Sequence, residues 1–282
     1  MGRRSDSATD PAWPAIRPEP PLNVRQFPSA VRRGLRLYAG LYLARRTPVI
    51  VYSTGRVGSM ALYRSLETAG VFVVTAETLN PDRLARHKHP GSWRWTYRHI
   101  VRPRRPAAVI SIVRDPLALL ISHFFFKLQR ATRIPDRPRP LSIDEMCETF
   151  NTVYLDQGRP GRLLAWFETE MKPYLGIDVY DRDFPCDRGF VRIDTSLYRV
   201  LIYRAELDDT AKSRAVADFL GSPNFALTRF NVTASKPYAR VYASFQRRLK
   251  VPIERLDYVY GSRYARHFYS AAERESMRAR WS

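Results

Sequence analysis

The sequence has 282 residues, 45 % of them apolar and 26 % charged, which are the proportions of a folded globular protein. The formal net charge of +20 favours an anionic partner: a nucleotide, a nucleic acid, an acidic polysaccharide or an anionic membrane surface. The two cysteines, Cys147 and Cys186, form no C-x-x-C pair and no histidine cluster accompanies them. The sequence therefore argues against a zinc site and favours two free thiols over a disulfide.

The first 29 residues are rich in proline, serine and charge, and they lack hydrophobic periodicity. They are predicted to form a disordered N-terminal arm, followed by a single domain over residues 30–282. The apolar stretch at 35–44 is far shorter than the roughly 20 residues that span a bilayer. It predicts a helix that packs on the core, with an amphipathic surface helix as the alternative. We expect a cytoplasmic protein, with at most peripheral contact with the inner membrane face.

The first elements in chain order form a strand, a helix and a second strand. Residues 48–53 are a continuous apolar run, residues 59–68 read as a helix that Gly70 ends, and residues 71–75 are apolar again. This βαβ order predicts a parallel sheet. Residues 107–113 predict a third buried strand, and Pro116 opens a helix that runs to about residue 130. The intervening residues 81–106 are predicted to be a basic, aromatic loop.

The later elements complete an α/β fold. After a Pro/Arg-rich linker at 134–140, Ser142 and Glu145 form a capping-box pattern. The sequence predicts helices over 161–171, 209–220, 236–250 and 270–281, and strands over 190–193 and 198–203. We therefore expect a three-layer sandwich, in which helices cover both faces of a central parallel sheet.

The turn after the first strand has the composition of an anion-binding site. It reads Thr54-Gly55-Arg56-Val57-Gly58-Ser59-Met60. The two glycines let the backbone N–H groups converge, and the helix N-terminus adds partial positive charge. Arg56 adds a full charge and Ser59 a hydroxyl. A Walker A loop would place lysine directly before the hydroxyl residue, and after the third strand Arg114 precedes Asp115 and would repel a metal ion. A metal-dependent NTPase or kinase is therefore disfavoured, and we expect no metal.

A second anion site is predicted after the third strand. Arg114 lies at the end of that strand and Ser122 lies two turns into the next helix. The carboxyl ends of parallel strands meet at one crevice, so Arg114 and Ser122 are expected to face the same crevice as Arg56. Two separated anion sites suit a nucleotide that is phosphorylated at both ends.

These motifs resemble those of P-loop sulfotransferases. The turn S-T-G-R-V-G-S resembles their 5′-phosphosulfate loop, R-D-P-x5-S resembles their 3′-phosphate site, and Y-R-A-E-L at 203–207 resembles a later strand. Residues 177–180, 231–238 and 263–270 are similar to the bacterial capsular polysaccharide synthesis proteins of that superfamily. The resemblance implies a P-loop NTPase-like sulfotransferase fold. It also implies sulfate transfer from 3′-phosphoadenosine 5′-phosphosulfate (PAPS) to a carbohydrate hydroxyl, on a capsular or cell-surface polysaccharide or a glycolipid.

The resemblance also implies roles for individual residues. Arg56 and the turn amides would stabilise the developing charge; relatives often carry lysine there, and arginine is a poor proton donor. Lys236 is a candidate to close over the nucleotide. For the general base we choose Glu77, because carbohydrate-type relatives carry a carboxylate after the second strand. His123 is the second candidate for the general base. The alternative for Glu77 is an ordinary solvated carboxylate with no catalytic role.

Two partner questions stay open at this point. The basic and aromatic residues over 83–105 predict a groove for an acidic carbohydrate acceptor, although a solvated loop or a single-stranded nucleic-acid surface would have the same composition. The alternative function is a non-catalytic polyanion- or nucleic-acid-binding protein on a P-loop scaffold. A simple binder has no need for two sites spaced for one nucleotide, so no dedicated nucleic-acid partner is expected.

Overall fold

The computed structural model describes residues 29–87, 91–131, 141–156, 159–228 and 238–282. At its centre is a five-stranded sheet in the order β2-β1-β3-β5-β4. The strands are β1 (Val49–Tyr52), β2 (Val73–Ala76), β3 (Ala107–Val113), β4 (Phe190–Asp194) and β5 (Tyr198–Arg204). The predicted α/β class is confirmed.

One strand departs from the predicted parallel arrangement. Strands β1, β2, β3 and β5 are parallel, whereas β4 pairs antiparallel with β5 at the edge of the sheet. The prediction of a wholly parallel sheet is therefore wrong at β4. The physical reason is the short connection at residues 195–197, because a parallel pair needs a crossover of a dozen or more residues.

Helices surround the sheet, several of them with π-helical continuations. Those before β3 are α1 (Ser29–Tyr38, continued by Ala39–Leu43), α2 (Ser59–Thr68), α3 (Pro81–Arg86) and α4 (Gly91–Thr96, continued by Tyr97–Val101). Between β3 and β4 lie α5 (Pro116–Ala131), α6 (Ile143–Glu148, continued by Thr149–Tyr154), α7 (Arg159–Leu164), a π-helical segment (Phe167–Met171), α8 (Lys172–Leu175) and a 3₁₀ turn (Val179–Asp181). The last helices are α9 (Asp209–Leu220), α10 (Ala239–Arg248), α11 (Ile253–Tyr260), α12 (Arg263–Phe268) and α13 (Ala271–Ala279).

Both faces of the sheet are buried, which explains why its strands read as continuous apolar runs. Ile50 and Tyr52 of β1 pack into one cluster with α1, α4, the segment 167–171 and α12. Val49 and Val51 point to the opposite face and pack with α2 and α9. The core thus consists of helices, sheet and helices in three layers. A third apolar cluster joins α5, α6, α10 and α11 beside the carboxyl end of β3.

The strand order creates a crevice between β1 and β3. The chain leaves β1 through α2 and reaches β2 on one side, then crosses back through α3 and α4 to β3 on the other side. Right-handed crossovers in opposite directions place α2 and α4 on opposite faces. The connections therefore diverge between the carboxyl ends of β1 and β3, which is where open α/β sheets bind ligands.

The prediction of an irregular loop over residues 81–106 is wrong, because most of this segment is helical. The Asn80 side chain accepts hydrogen bonds from the backbone N–H groups of Asp82 and Arg83, and Pro81 occupies the first turn of α3. Thr96, Ile100 and Val101 form the buried side of the next helix. The sequence contained the Asn-Pro start signal, but arginine and tryptophan obscured the apolar spacing.

Other boundaries agree closely with the sequence. Helices α2 and α9 and strand β3 have the predicted limits, and the Ser142–Glu145 capping box is present. Helix α1 begins at Ser29, the last residue of the predicted arm, while residues 1–28 and the linker at 134–140 lie outside the described residues. Helices α11 and α12 were missing from the sequence-based prediction. Cys147 and Cys186 are both unpaired.

Candidate functional site

The turn after β1 has an unusual backbone for its sequence. Arg56 has φ of +73°, in the left-handed region where a side chain costs about 1 kcal/mol or more, and Gly58 follows with φ of +93°. Helix α2 then begins at Ser59. Ser53, at the start of the turn, is buried, and its Oγ accepts a hydrogen bond from the Ile112 N–H at 2.9 Å. The turn is thereby fastened to β3.

The Arg56 side chain lies in the crevice with one donor unused. Its Cζ lies 4.4 Å from the centre of the Phe126 ring on α5, a cation–π contact. Its Nε is buried and has no hydrogen-bond acceptor among the residues that the structure describes. A buried donor without a partner is uncommon in proteins and is consistent with a site that completes itself with a ligand.

Arg114 lies next to this turn. Its Nη1 donates a hydrogen bond to the backbone carbonyl of Arg56 at 2.9 Å. This hydrogen bond brings Arg56 and Arg114 together at the carboxyl ends of β1 and β3. The Arg114 guanidinium also lies near the Tyr242 hydroxyl, where it partly offsets the rise in pKa that burial causes.

Tyrosines from the C-terminal helices hold the segment after β3. The Tyr264 hydroxyl accepts a hydrogen bond from the Arg114 N–H at 2.8 Å and donates one to the Arg114 carbonyl at 2.9 Å. The Tyr260 hydroxyl donates to Asp115 Oδ1 at 3.1 Å, and the same oxygen accepts from the Leu117 N–H at 2.9 Å. Asp115 thus caps α5 while both tyrosines fix the direction in which Arg114 leaves the strand.

Glu206 completes this support from the end of β5. One carboxylate oxygen accepts a hydrogen bond from the Asp115 N–H at 2.8 Å, and the other accepts from the Tyr269 hydroxyl at 3.1 Å. Burial raises the pKa of both Asp115 and Glu206, although their hydrogen bonds oppose that rise. The resemblance had singled out residues 203–207 and 263–270, and this is the contact that joins them.

Glu77 lies against the turn that follows β1. A Cβ atom on Gly55 would lie 3.0 Å from both carboxylate oxygens of Glu77, so a glycine is what allows this approach. Loss of hydration next to neighbouring protein atoms raises the pKa of the Glu77 carboxyl, and the Arg56 guanidinium lowers it to a smaller extent. Because Glu77 is also exposed along the crevice, water moderates this rise.

A buried carboxylate that the sequence analysis missed holds the Glu77 loop. Glu170 is fully buried and its oxygens accept four hydrogen bonds, from the Tyr52 hydroxyl, the Thr78 hydroxyl, the Leu79 N–H and the Arg83 guanidinium. Trp166 Nε1 donates to the Glu77 carbonyl at 2.9 Å. Its position in the sequence could have indicated burial, because Glu170 falls between Phe167 and Met171 on an otherwise apolar helix face.

The remaining predicted site residues have mixed placements. Thr54 and Val57 are buried in the turn, Ser59 and Ser122 are half-buried, and Met60 is exposed. The Nδ1 atom of His123 is within hydrogen-bond distance of the Tyr154 hydroxyl, at 2.8 Å, so this ring nitrogen is already engaged. Lys236 lies outside the described residues.

A cavity of about 300 Å³ opens beside the turn. It extends from Gly58 and α2 across the ends of β3 and β5 to the first turn of α9. Its wall is lined by Val57, Gly58, Ala61, Ile112, Tyr203, Ala205, Asp209, Lys212, Leu227 and Thr228. This volume is at the lower end of the range for small-molecule pockets, and the wall is largely apolar, as such pockets usually are.

The basic segment over 83–105 does not form one groove. Helix α3 follows the carboxyl end of β2, whereas Arg102, Arg104 and Arg105 immediately precede β3 at the amino end of the sheet. These three arginines are therefore at the amino ends of the strands, whereas the Arg56 turn is at their carboxyl ends. Among the described residues no group of three or more His, Cys, Asp or Glu side chains could hold a metal ion.

Comparison with known proteins gives one family-model match, and it covers less than half of the chain. Residues 143–270 match the family model described as "Putative capsular polysaccharide synthesis protein". The match includes Glu170, Glu206 and the tyrosines that hold Arg114, but it excludes the Arg56 turn and Arg114 itself. The searches of curated proteins and of solved structures found no significant match.

Glu170→Ala is expected to lower the free energy of unfolding by about 3–5 kcal/mol, because it removes the shared acceptor of four buried or half-buried donors. Chemical denaturation measures the change. Glu275→Ala, at a side chain that is 70 % exposed, is the control and should change stability by less than about 0.5 kcal/mol. Equal stability of the two variants would show that Glu170 does not support the loop.

Proposed function

We propose that this protein is a PAPS-dependent sulfotransferase that modifies a hydroxyl of a carbohydrate. The observation that carries the proposal is the hydrogen bond from Arg114 Nη1 to the carbonyl of Arg56. It connects the Arg114 guanidinium to the backbone of Arg56, so two permanently charged residues lie at the carboxyl ends of adjacent parallel strands, where open α/β sheets bind ligands. Such a pair supports binding of a ligand with more than one anionic group.

The residues at the crevice fit a doubly phosphorylated adenosine. The turn residues Gly55 to Ser59 lead into the N-terminus of α2, a ten-residue helix whose first N–H groups have no partner within the helix. The unused Nε donor of Arg56 adds a further site for an anionic oxygen. Arg114, with Ser122 on the following helix, would hold the second phosphate. The cavity beside Gly58 has room for part of a nucleoside.

The acceptor oxygen would form a bond to the sulfur of PAPS while the bond from sulfur to the bridging phosphate oxygen breaks, and adenosine 3′,5′-bisphosphate would leave. The protein would supply charge and a proton acceptor. Arg56 and the turn amides would stabilise negative charge on oxygen, as preorganised donors do in a site with restricted water access. Glu77 would accept the proton of the acceptor hydroxyl. Its contact with Gly55 places it beside the turn, and its raised pKa makes it a better base than an ordinary glutamate.

An acidic saccharide is the acceptor class that the match favours. Residues 143–270 resemble a family described by capsular polysaccharide synthesis, and the net charge of +20 favours an anionic polymer. A membrane-anchored or soluble form of that polymer would present the same hydroxyl chemistry. Because Arg102 to Arg105 lie on the opposite edge, the acceptor would approach over α3 and the Glu77 loop.

Adenosine 3′,5′-bisphosphate should raise the melting temperature of the wild-type protein without added Mg²⁺. A ligand at one hundred times its dissociation constant contributes about 2.7 kcal/mol. Arg114→Ala and Arg56→Gly should both lose this shift. Arg56→Gly keeps the folded state intact, because glycine adopts φ of +73° without strain. Differential scanning fluorimetry measures the effect.

The matched control is Arg182→Ala, which removes the same charge from an exposed position outside the crevice. It should keep the full nucleotide shift. An unchanged shift in Arg114→Ala would contradict the two-site interpretation. Absence of any shift in the wild type would instead favour a polyanion-binding protein without catalysis.

Glu77→Gln should reduce sulfate transfer by at least about 100-fold while leaving nucleotide binding in place, because general bases contribute about 10²- to 10⁴-fold. Transfer from a labelled donor to an acidic oligosaccharide measures the rate. His123→Gln, as comparison, tests the alternative base.

The acid limb of the wild-type rate profile should lie above the ordinary glutamate pKa of 4.5, because the folded pKa of Glu77 is raised and only its ionised form accepts a proton. The stability of the fold should change in the opposite direction to the rate. A carboxyl with a raised pKa binds more protons in the folded state than in the unfolded state, so its contribution to stability falls as pH rises through the folded pKa. An acid limb that survives in Glu77→Gln would assign the titration to another group.

A further inference from the structure

A compact apolar surface lies on α1 and its π-helical continuation. Leu35, Tyr38, Tyr42 and Leu43 are 48, 49, 41 and 82 % exposed, while Leu37 and Leu41 of the same segment are buried in the core. The Tyr38 and Tyr42 rings stack with their centres 5.4 Å apart. We call these four exposed residues the N-terminal apolar face. So much apolar side chain on one short segment is unusual for a surface that contacts only water.

The tyrosines of this face are anchored to α4. The hydroxyls of Tyr38 and Tyr42 lie 3.4 and 2.9 Å from the two ring nitrogens of His99. Burial lowers the pKa of His99, and the charges of Arg98 and Arg105 lower it further, which favours the neutral ring. The two contacts with His99 hold the aromatic part of the face against α4.

Arginines border the N-terminal apolar face. Arg105 lies over the Tyr42 ring, with its Cζ 4.8 Å from the ring centre. Arg45 and Arg98 are exposed and form no hydrogen bond or ion pair with any residue that the structure describes. Arg36 has one long contact, 3.9 Å, with Glu67. Cationic charge around exposed leucine and tyrosine is the pattern of helices that lie in the interface of anionic membranes.

We propose that the N-terminal apolar face binds the surface of an anionic lipid bilayer, with its leucines and tyrosines entering the interface and the bordering arginines contacting lipid phosphates. No helix among the described residues is long and apolar enough to cross a membrane. The charge complementarity favours lipid over a second copy of this chain, because two such faces would bring arginines of like charge together.

If the protein binds a bilayer through this face, the membrane would lie near the amino ends of the strands, whereas the candidate site lies at their carboxyl ends. The π-helical continuation packs on Phe72, which precedes β2, and Arg46 donates a hydrogen bond to the Gly70 carbonyl. Both contacts are at the amino ends of the strands. The seven residues of β3 separate the two edges by about 20 Å. The bilayer would hold the protein beside a membrane-anchored polymer and leave the crevice open to the saccharide.

The test is co-sedimentation of the full chain with phosphatidylcholine vesicles, with and without phosphatidylglycerol. The wild type should bind the anionic vesicles and should dissociate as ionic strength rises. The double variant Leu35→Asp/Leu43→Asp should bind at least about tenfold more weakly, because two apolar side chains lose their contact with the bilayer. Arg45→Glu/Arg98→Glu should weaken binding to anionic vesicles only.

The matched control is Val153→Asp/Ile253→Asp, at side chains that are 45 and 49 % exposed elsewhere on the surface. It should bind vesicles as the wild type does. The proposal is overturned if the wild type binds no vesicles, or if the two double aspartate variants bind equally.

Two other occupants of the face would give distinct results, and each would overturn the proposal. A second copy of the chain would show as a dimer that Leu35→Asp/Leu43→Asp dissociates. Coverage by residues 1–28 would show as a lower melting temperature in that variant without vesicle binding by the wild type. Nucleotide binding is measured separately, so the outcome here does not depend on the sulfotransferase proposal.

Discussion

The hydrogen bond between the Arg114 guanidinium and the Arg56 carbonyl joins the ends of β1 and β3, and the rest of the candidate site is arranged around it. The position of the Arg114 guanidinium therefore depends on where the backbone leaves β1 and β3. The Tyr264 hydroxyl binds both the N–H and the carbonyl of Arg114, and Glu206 binds the N–H of Asp115. The C-terminal helices therefore act as the support of a charged crevice.

A second support holds the other wall of the crevice. Glu170 collects four hydrogen bonds beneath the Glu77 loop, and Trp166 fixes the Glu77 carbonyl. A buried carboxylate is tolerated only when its oxygens are satisfied, as they are here. The family match begins at residue 143 and ends at residue 270, and it includes both supports.

The opposite edge of the sheet has a different character. There the exposed apolar and basic residues of α1 and of the segment before β3 form a surface that faces away from the crevice. Among the described residues, arginines are thus present at both ends of the strands. Arginines at the carboxyl edge are fixed by hydrogen bonds and ring contacts, whereas Arg45 and Arg98 at the amino edge are exposed. On the two proposals above, the carboxyl ends of the strands would bind a small anion and the amino ends would contact an extended anionic surface.

The sequence by itself determined the βαβ order, the glycine-containing turn after β1 and the placement of Arg114 after a buried strand, because apolar runs, glycines and helix starts act over a few residues. It did not determine the helices at 81–101 or the direction of β4, where arginine-rich spacing and one short connection decided the local structure. The contacts that complete the site join residues far apart in the chain: 58 positions for Arg56 and Arg114, and 150 for Arg114 and Tyr264. Only the packing of the whole chain brings such residues together, since no local pattern encodes which distant tyrosine or glutamate will meet a given strand end.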